Sequence, residues 1–380
     1  MSFASRPIRA LPFLAPLLLG SGCTLLPVGG SPSGSPGGCP ALGGRLQEIR
    51  TVFHCHSHLS HDSEGTIEEI ARAARDLGIQ VVLLTDHYEP GNVAASPRGF
   101  VDGVLFVPGV ELHGREGSLM VVGPREDFDP HLPRAEFVAQ LERQGAFLAA
   151  GHVEEMPESL DASPYGGFEV YNLHAEFEAA DGWSIAGRFL CYTPDAFFEA
   201  AITPPRANLE LWDRLLLAGH HLAPLAGQDA HANIHVFGPL GGTVGTYPEL
   251  FRLFSTRILA EEVSESAVLE ALHRGRTYVI FDYLSDKGGL TFRYGAAGTP
   301  DEQFATLGDC VPHTPGGQLE ARIPESARLR LIRNGTVLRE EDGRELVVQP
   351  PGAGIYRVEA WRGDRLWIVS APIYLTDPDS

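Results

Sequence analysis

The sequence predicts an α/β barrel followed by a small all-β sandwich domain. Three observations support this fold. From Arg50 onward, strand-like apolar runs alternate with helical patterns, which indicates a parallel sheet. No glycine-rich phosphate-binding loop follows the first strand, and this favours a barrel over a doubly wound sheet. After about Leu284, short alternating strands separated by turns replace the mixed pattern, as in a β-sandwich.

The chain is long enough for two domains, and its charge argues against one class of ligand. It has 380 residues, 43% of them hydrophobic, and a formal net charge of −20 from 49 acidic and 29 basic residues. Such a field repels phosphate backbones, and the sequence shows no basic patch, so we expect no nucleic-acid partner. Nothing in the sequence indicates the oligomeric state.

The N-terminal segment has the features of a targeting signal. Two arginines precede a short apolar run from Leu11 to Leu19, which ends close to Cys23. This resembles a bacterial lipoprotein signal over residues 1–23, with a lipidated Cys23 as the only membrane attachment. A plain secretory signal is the alternative, and both place the protein outside the cytoplasm, in the periplasm if it is anchored. Residues 24–44, rich in Gly, Pro and Ser, are predicted to form a flexible linker.

The elements of the barrel follow in order. A strand runs through His56, and a helix begins at Thr66 with a capping box to Glu69 and ends at Gly78. The run from Gln80 to Thr85 is continuously apolar, as in buried parallel strands. Further strand patterns are VLFVPGVEL, SLMVVG, AFLAAGH, FEVYN, HLAPLAGQDAH and TYVIF, and further helical patterns are RAEFVAQLERQG, NLELWDRLLLAGHH and SESAVLEALHRGR.

The C-terminal segment contains the alternating patterns LTFRYG, QLEARI, ARLRLIRNGTVLRE, ELVVQP, GIYRVEAWRG and RLWIVSAPIYL. The Asn334-Gly335 pair predicts a tight hairpin turn. Only one histidine, His313, occurs here, so we interpret this segment as a packing or interaction module and not as the site of chemistry.

A histidine-rich stretch at residues 52–63 is the most informative feature. In a strand, His54 and His56 point to the same face, and Cys55 points into the opposite packing layer. The following loop carries His61 and Asp62. Imidazoles and a carboxylate at this spacing could bind a divalent metal ion.

Five other candidate residues occur where predicted strands end. The carboxyl ends of barrel strands are where catalytic groups converge, so these side chains are expected to meet at one rim. They are His87, Glu111, His152, Asp229 and His231.

These residues resemble the motifs of the PHP superfamily, named for polymerase and histidinol phosphatase. The matching motifs are HxHSxxSHDS at residues 54–63, TDH at 85–87, GVE at 109–111, AAGH at 149–152 and DAH at 229–231. The later GRTYVIFDYLSD and APIYL segments resemble the CehA/McbA-like branch, which is named for carbaryl hydrolase. The resemblance implies a distorted (βα)7 TIM-like barrel over residues 45–284, a sandwich over 285–380, and up to three divalent ions.

The resemblance also implies ligand roles. His54 and His56 would bind the first ion. Glu111 would bridge this ion to another, and Asp229 would complete its coordination. Asp62 and His87 would bind a second ion, and His152 and His231 would serve the others. His61 stands where some members carry the carboxylate, so it remains the alternative to Asp62.

One position departs from the superfamily pattern. Ser118 stands where many relatives have a histidine ligand, so two ions are expected more strongly than three. His174 or His113 could compensate, with His174 the stronger candidate for a ligand or a second-layer role.

The predicted chemistry is metal-dependent hydrolysis. Imidazole and carboxylate ligands suit Zn, Mn or Fe, and a hydroxide bridging two such ions would be the nucleophile. His231 or His174 would protonate the leaving group, and Arg98, Arg115 or Arg188 could help to bind an anion. A phosphoester is the first hypothesis for the substrate. One alternative is a carbamate, amide or ester substrate. The other is that the protein is a non-catalytic, lipid-anchored metal-binding protein.

Overall fold

The computed structural model describes residues 46–114, 117–156, 161–173, 194–231, 234–235, 243–296, 298, 300 and 303–377. The predictions made for residues 1–44, Arg115, His174 and Arg188 lie outside these residues. Within the described part of the chain, no helix is long and apolar enough to cross a membrane.

The first ten strands build the scaffold of the N-terminal region. They are β1 Gln47–Cys55, β2 Val81–Leu83, β3 Asp86–His87, β4 Gly99–Val101, β5 Val104–Val107, β6 Gly109–Gly114, β7 Gly117–Val122, β8 Phe147–Gly151, β9 Gly167–Asn172 and β10 Ala223–Ala230. Nine of them pair in a ring in the order β1, β2 with β3, β5 with β6, β7, β8, β9 and β10, and β10 pairs again with β1. β4 lies outside this order and pairs antiparallel with β5.

One strand of this ring departs from the predicted parallel pattern. β7 is antiparallel to both of its neighbours, β6 and β8, whereas the other joints of the ring are parallel. Only residues 115–116 separate β6 from β7, and Gly114 pairs directly with Gly117. A parallel crossover needs a dozen or more residues. A connection this short therefore forces the chain to reverse its direction.

The helices are α1 Ile67–Asp76, α2 Asn92–Ala95, α3 Arg134–Arg143, α4 Pro194–Ala201, α5 Arg206–Leu217, α6 Tyr247–Phe251 and α7 Glu265–His273, with a 3₁₀ turn at Val153–Glu155. The predicted capping box of α1 is confirmed: Thr66 accepts from the Glu69 N–H, and the Glu69 carboxylate accepts from the Thr66 N–H. Gly78 follows the helix with φ +69°. These contacts satisfy amide groups that the first turn leaves without partners.

The remaining strands are β11 Ile234–His235, β12 Thr243–Val244, β13 Ser255–Ala260, β14 Thr277–Ile280, β15 Thr291–Ala296, β16 Cys310–Pro312, β17 Gly317–Arg333, β18 Thr336–Val348, β19 Gly354–Arg362, β20 Arg365–Ser370 and β21 Ile373–Thr376. β13 is antiparallel to β1 and to β14, and β14 is antiparallel to β20. Hydrogen bonding therefore continues from the N-terminal strands into the C-terminal ones. The fold is a mixed α/β region followed by a β-rich C-terminal region.

The predicted hairpin at Asn334-Gly335 joins β17 and β18. Both turn residues have positive φ, +50° and +76°, as a type I′ turn requires. The β-rich region contributes Leu329 and Trp367 to a second buried apolar cluster, which also includes Tyr278 of β14.

Candidate metal centre

The predicted rim residues come together at one end of the strand ring. His54 lies near the end of β1, His87 at the end of β3, Glu111 within β6 and Asp229 near the end of β10. His152 follows β8. Because these strands run in the same direction, their carboxyl ends bring side chains from distant parts of the chain into contact.

His54 and His56 point to the same side and share two carboxylate neighbours. Their Nε2 atoms lie 3.5 and 3.3 Å from Oε2 of Glu111, and 3.3 and 3.5 Å from Oδ1 of Asp229. The backbone here is not a regular strand, because His54 has φ +61° and the β1–β10 register shifts between Phe53 and Cys55. Cys55 is fully buried in the apolar core, as the alternation predicts.

Glu111 is the central residue of the cluster. Besides His54 and His56, its Oε2 atom lies 3.4 Å from Nδ1 of His87, and its Oε1 atom lies 3.5 Å from Nε2 of His152. One buried carboxylate thus contacts four imidazoles from three different segments. This position is the one that a bridging ligand would occupy.

The outer side of the cluster is partly open to solvent. Oδ2 of Asp62 lies 3.1 Å from Nε2 of His87 and 3.4 Å from Nε2 of His231, and the Asp62 side chain is 37% exposed. The His231 ring stacks on that of His56, with centroids 4.1 Å apart. His61 is exposed, and its ring centroid lies 5.0 Å from that of His87.

Among the described residues, three groups of side chains could each bind one metal ion. In each group, the potential ligand atoms lie within 4.8 Å of one another. The groups are His54, Glu111 and His152; His54, His56 and Asp229; and His56, Asp62, His87 and His231. The structure therefore gathers every residue of the predicted ligand set, with Asp62 and not His61 at the outer position.

The potential ligand atoms of the cluster are better suited to binding divalent cations than to hydrogen bonding with one another. In the described part of the chain, Nε2 of His54, Nε2 of His56 and Oε1 of Glu111 are buried and have no hydrogen-bond partner. Such orphaned groups are rare in folded proteins because their desolvation is costly. Ligand atoms about 2.1 Å from a shared tetrahedral ion are about 3.4 Å apart, which is the spacing found here.

Electrostatics keeps the carboxylates charged and one imidazole neutral. Burial raises the pKa of Glu111 and of Asp229, but nearby histidines, His54 foremost, outweigh it and lower both. Burial together with the neighbouring His231 lowers the pKa of His56 to about 4. Burial lowers the pKa of His54, whereas Asp229, Glu169 and Glu111 together raise it well above its usual value.

A hydroxyl relay orients the neutral imidazole. Nδ1 of His56 lies 3.0 Å from Oγ of Ser60, and this hydroxyl donates to Oδ1 of Asp86 at 3.0 Å. Since the Ser60 proton points to Asp86, the hydroxyl oxygen accepts the Nδ1–H of His56. The lone pair of His56 Nε2 is therefore directed towards Glu111 and Asp229.

The sequence predictions did not include Asp86, Ser60 or Glu169 among the functional residues. Glu169, in β9, is completely buried, and its Oε1 atom lies 2.7 Å from Nδ1 of His54. A carboxylate within the otherwise apolar strand pattern FEVYN is the signal that could have identified it, because buried carboxylates need partners.

Other predicted residues lie apart from the three groups. Ser118 is buried, and its hydroxyl lies 3.1 Å from Nδ1 of the exposed His113, whose ring centroid is 6.2 Å from that of His152. Arg98 forms an ion pair with Glu265 and lines a surface cavity with Arg125, Ser266 and Leu269, so its assistance in anion binding stays a prediction.

The chain is similar to a protein family and to a solved structure. The sequence model of the PHP domain family matches residues 53–203. A solved two-domain protein from Bacteroides vulgatus, described as containing a predicted PHP-like metal-dependent phosphoesterase, is 16% identical, with a TM-score of 0.40; the alignment covers 90% of this chain and 100% of that chain. No curated protein matches the chain. The segment that supplies every cluster residue except Asp229 and His231 thus matches the PHP domain family.

Proposed function

We propose that this protein is a metal-dependent hydrolase that cleaves phosphoesters at the rim of the strand ring. The observation that supports this most directly is the convergence of unpartnered buried ligand atoms, Nε2 of His54 and His56, on the carboxylates of Glu111 and Asp229. We further propose that two to three ions of Zn, Mn or Fe occupy the three groups.

When bound, divalent ions would lower the pKa of a coordinated water and neutralise charge developing on a phosphoryl oxygen. The protein residues fix the positions of these ions. His54, His56, Glu111 and Asp229 are buried, so they exclude bulk water from the inner side of the site. The hydrogen bonds to Nδ1 of both histidines hold the rings in place before any ligand arrives.

The outer residues are suited to substrate contact and proton transfer. The side chains of His87 and His231 are 21% and 15% exposed, and both contact Asp62. Asp62 raises the pKa of His231 against the opposing effect of burial, which favours its protonated form as a proton donor to the leaving group. The other proposed donor, His174, lies outside the described residues.

The substrate class follows from the charges around the site. Among the described residues, the ion-pair partners found for Glu111 and Asp229 are all histidines. A phosphate group would therefore meet positive charge from bound cations and protonated histidines. This arrangement requires more than one ion, because the carboxylates of Asp62, Glu111 and Asp229 would otherwise repel the anion.

The proposal includes the domain organisation. We propose that the strand ring, with its one reversed strand β7, is a distorted (βα)7 barrel of the PHP type over residues 45–284. The β-rich region, residues 285–380, would be a sandwich with a supporting role.

The proposed function can be tested with purified protein loaded with Mn(II). It should hydrolyse p-nitrophenyl phosphate or bis-p-nitrophenyl phosphate, and EDTA should abolish the activity. Turnover of p-nitrophenyl acetate or a naphthyl carbamate alone would instead indicate a carboxylic ester or carbamate hydrolase. Stoichiometric metal without turnover of any of these substrates would indicate a non-catalytic metal-binding protein.

We also propose that the protein works outside the cytoplasm, attached to a bacterial membrane through a lipid on Cys23. The support is the sequence of the N-terminal segment. Labelling with radioactive palmitate should mark the wild type and not the Cys23→Ala variant; equal labelling of both would refute the attachment site.

A further inference from the structure

We propose that Glu169 is a positioning residue that orients two metal ligands, His54 and His152, at the same time. The inference rests on the proposed metal centre, but not on which bond the enzyme hydrolyses. Glu169 belongs to none of the three groups of potential ligands among the described residues. Its carboxylate instead lies behind them, with each oxygen serving a different ligand.

The first oxygen fixes the ring of His54. Oε1 of Glu169 lies 2.7 Å from Nδ1 of His54, and both side chains are completely excluded from solvent. An ionised carboxylate only accepts hydrogen bonds, so the proton of this contact belongs to Nδ1 of His54. The opposite ring nitrogen, Nε2, is thereby turned towards Glu111 and Asp229, where a cation would bind.

The second oxygen fixes the backbone of His152. Oε2 of Glu169 accepts from the His152 N–H at 2.8 Å. His152 has φ +48°, a left-handed conformation that non-glycine residues adopt only when their surroundings hold them there. This conformation precedes the 3₁₀ turn at Val153 and directs Nε2 of His152 to Glu111 and Asp229.

The surroundings of Glu169 are built for this role. Asn172, on the same strand, donates its amide to Oε2 at 3.1 Å, which restrains rotation of the carboxylate. The neighbouring strand has Gly227 at the point of closest approach. A Cβ atom there would lie 1.8 Å from Oε1 of Glu169 and 3.0 Å from Cβ of His54, so only glycine leaves room for the pair.

Among the described residues, Nδ1 of His56 has no equivalent direct contact with a carboxylate. Its Nδ1 atom bonds to the Ser60 hydroxyl, and the carboxylate of Asp86 lies one hydrogen bond further away. The negative charge of Glu169 therefore acts directly on His54, and it strengthens that ring as a ligand more than the relay strengthens His56.

Glutamine cannot replace Glu169, although it has nearly the same size. The carboxylate accepts from three donors: the ring of His54, the backbone of His152 and the amide of Asn172. A Gln side chain offers only one oxygen, so its NH₂ group would face another donor on one side. Glu169→Gln should therefore lose at least one of these contacts without creating a cavity.

The test compares the wild-type protein with Glu169→Gln and Gly227→Ala, using Glu155→Gln as the control. Glu155 is an exposed residue of the nearby 3₁₀ turn. Its substitution makes the same chemical change as Glu169→Gln without removing a contact to His54 or His152. Zn(II) and Mn(II) affinities are measured by competition with a chromophoric chelator. We expect Glu169→Gln and Gly227→Ala to bind about 10- to 100-fold more weakly, as changes behind metal ligands do, and Glu155→Gln to bind like the wild type.

A second measurement does not depend on metal or activity. The Nδ1 proton of His54 in metal-free protein should give a downfield NMR signal protected from exchange, identified by its absence in His54→Gln. This signal should shift or disappear in Glu169→Gln and persist in Glu155→Gln. An unchanged signal and a metal affinity within twofold of the wild type would overturn the proposal.

The two proposals fail in different ways. A wild type that binds metal tightly but hydrolyses no substrate would refute the phosphoesterase function, while a loss of affinity in Glu169→Gln would still support the role of Glu169. If the wild type bound no metal, the proposed function would fail, and the NMR signal of His54 alone would decide the role of Glu169.

Discussion

Two buried polar clusters of this protein differ in how their charges are matched. The metal centre combines histidines with carboxylates and leaves ligand atoms of His54 and His56 without hydrogen-bond partners in the described structure. The second cluster surrounds Arg357, where the β-rich region packs against α5. Arg357 donates to both carboxylate oxygens of Asp213, at 2.8 and 2.7 Å, and to Glu359 at 2.6 Å.

In the Arg357 cluster, the charged groups satisfy each other. The second oxygen of Glu359 accepts from the indole of Trp361, and the Arg357 guanidinium lies 5.3 Å from the centroid of the Trp212 ring. Burial lowers the pKa of Arg357, but Asp213 and Glu359 more than compensate and raise it further above its usual value. Its geometry is that of a bidentate arginine–carboxylate pair.

The difference separates a structural cluster from a functional one. Both clusters are buried, yet the Arg357 cluster contains its own cation, the guanidinium. In the metal centre, imidazole nitrogens and carboxylate oxygens converge on points where a cation is required. Burial of polar groups alone therefore does not identify a site; what distinguishes the first cluster is the convergence of unsatisfied imidazole nitrogens on carboxylates. This distinction makes different predictions for the two clusters.

The largest effect is expected for Asp229→Asn. Asparagine tolerates the left-handed backbone of Asp229, φ +50°, but removes the charge that contacts four histidines of the site. Because metal ions supply several kcal/mol of transition-state stabilisation, activity should fall by about 10³-fold or more. Metal content should fall with it, as measured by elemental analysis on protein whose folding is verified by circular dichroism. Full metal content would refute the ligand role.

Arg357→Met should instead reduce stability and leave the metal centre intact. Removing one partner of a buried ion pair leaves uncompensated charge on Asp213 and Glu359, which costs about 3–5 kcal/mol in the free energy of unfolding. Urea denaturation measures this loss, and Arg339→Met, at an exposed ion pair with Glu341, should cost less than about 1 kcal/mol. A loss of metal stoichiometry in folded Arg357→Met would contradict the separation of the two clusters.

Metal binding should stabilise the protein through the first cluster alone. A ligand at 100 times its dissociation constant adds about 2.7 kcal/mol per site to the free energy of unfolding. Mn(II) or Zn(II) should therefore raise the melting temperature of the wild type and of Arg357→Met, and EDTA should reverse the shift. Asp229→Asn should respond much less. An equal response in all three proteins would show that the cation binds elsewhere.

The smallest effect is expected at the exposed edge of the metal centre. Asp62 contacts His87 and His231, whereas His61 belongs to none of the three ligand groups in the described residues. Asp62→Asn should weaken binding of the last metal equivalent by about tenfold, near the lower limit for altered ligand shells. His61→Ala should change it less than twofold. Calorimetric titration with Mn(II) would resolve the two variants, and the reverse order would make His61 the ligand.

Features that depend only on neighbouring residues could be predicted from the sequence. The α1 capping box needs only Thr66 and Glu69, and the Asn334-Gly335 turn needs only its own backbone preferences. The change from a mixed α/β segment to a β-rich segment follows from hydrophobic periodicity, which is also a local property. The candidate ligands could be identified because each stands at a strand end within a short motif.

Contacts between groups that are distant in the sequence could be read only from the folded structure. Glu169 and His54 are 115 residues apart, and nothing near either residue specifies their 2.7 Å contact. The contact of Asp62 with His87 depends on the loop path after β1, and the pairing of Arg98 with Glu265 depends on the packing of α7. Side-chain contacts between distant segments are set by strand register and by packing in the core, and these are properties of the whole chain that no single segment encodes.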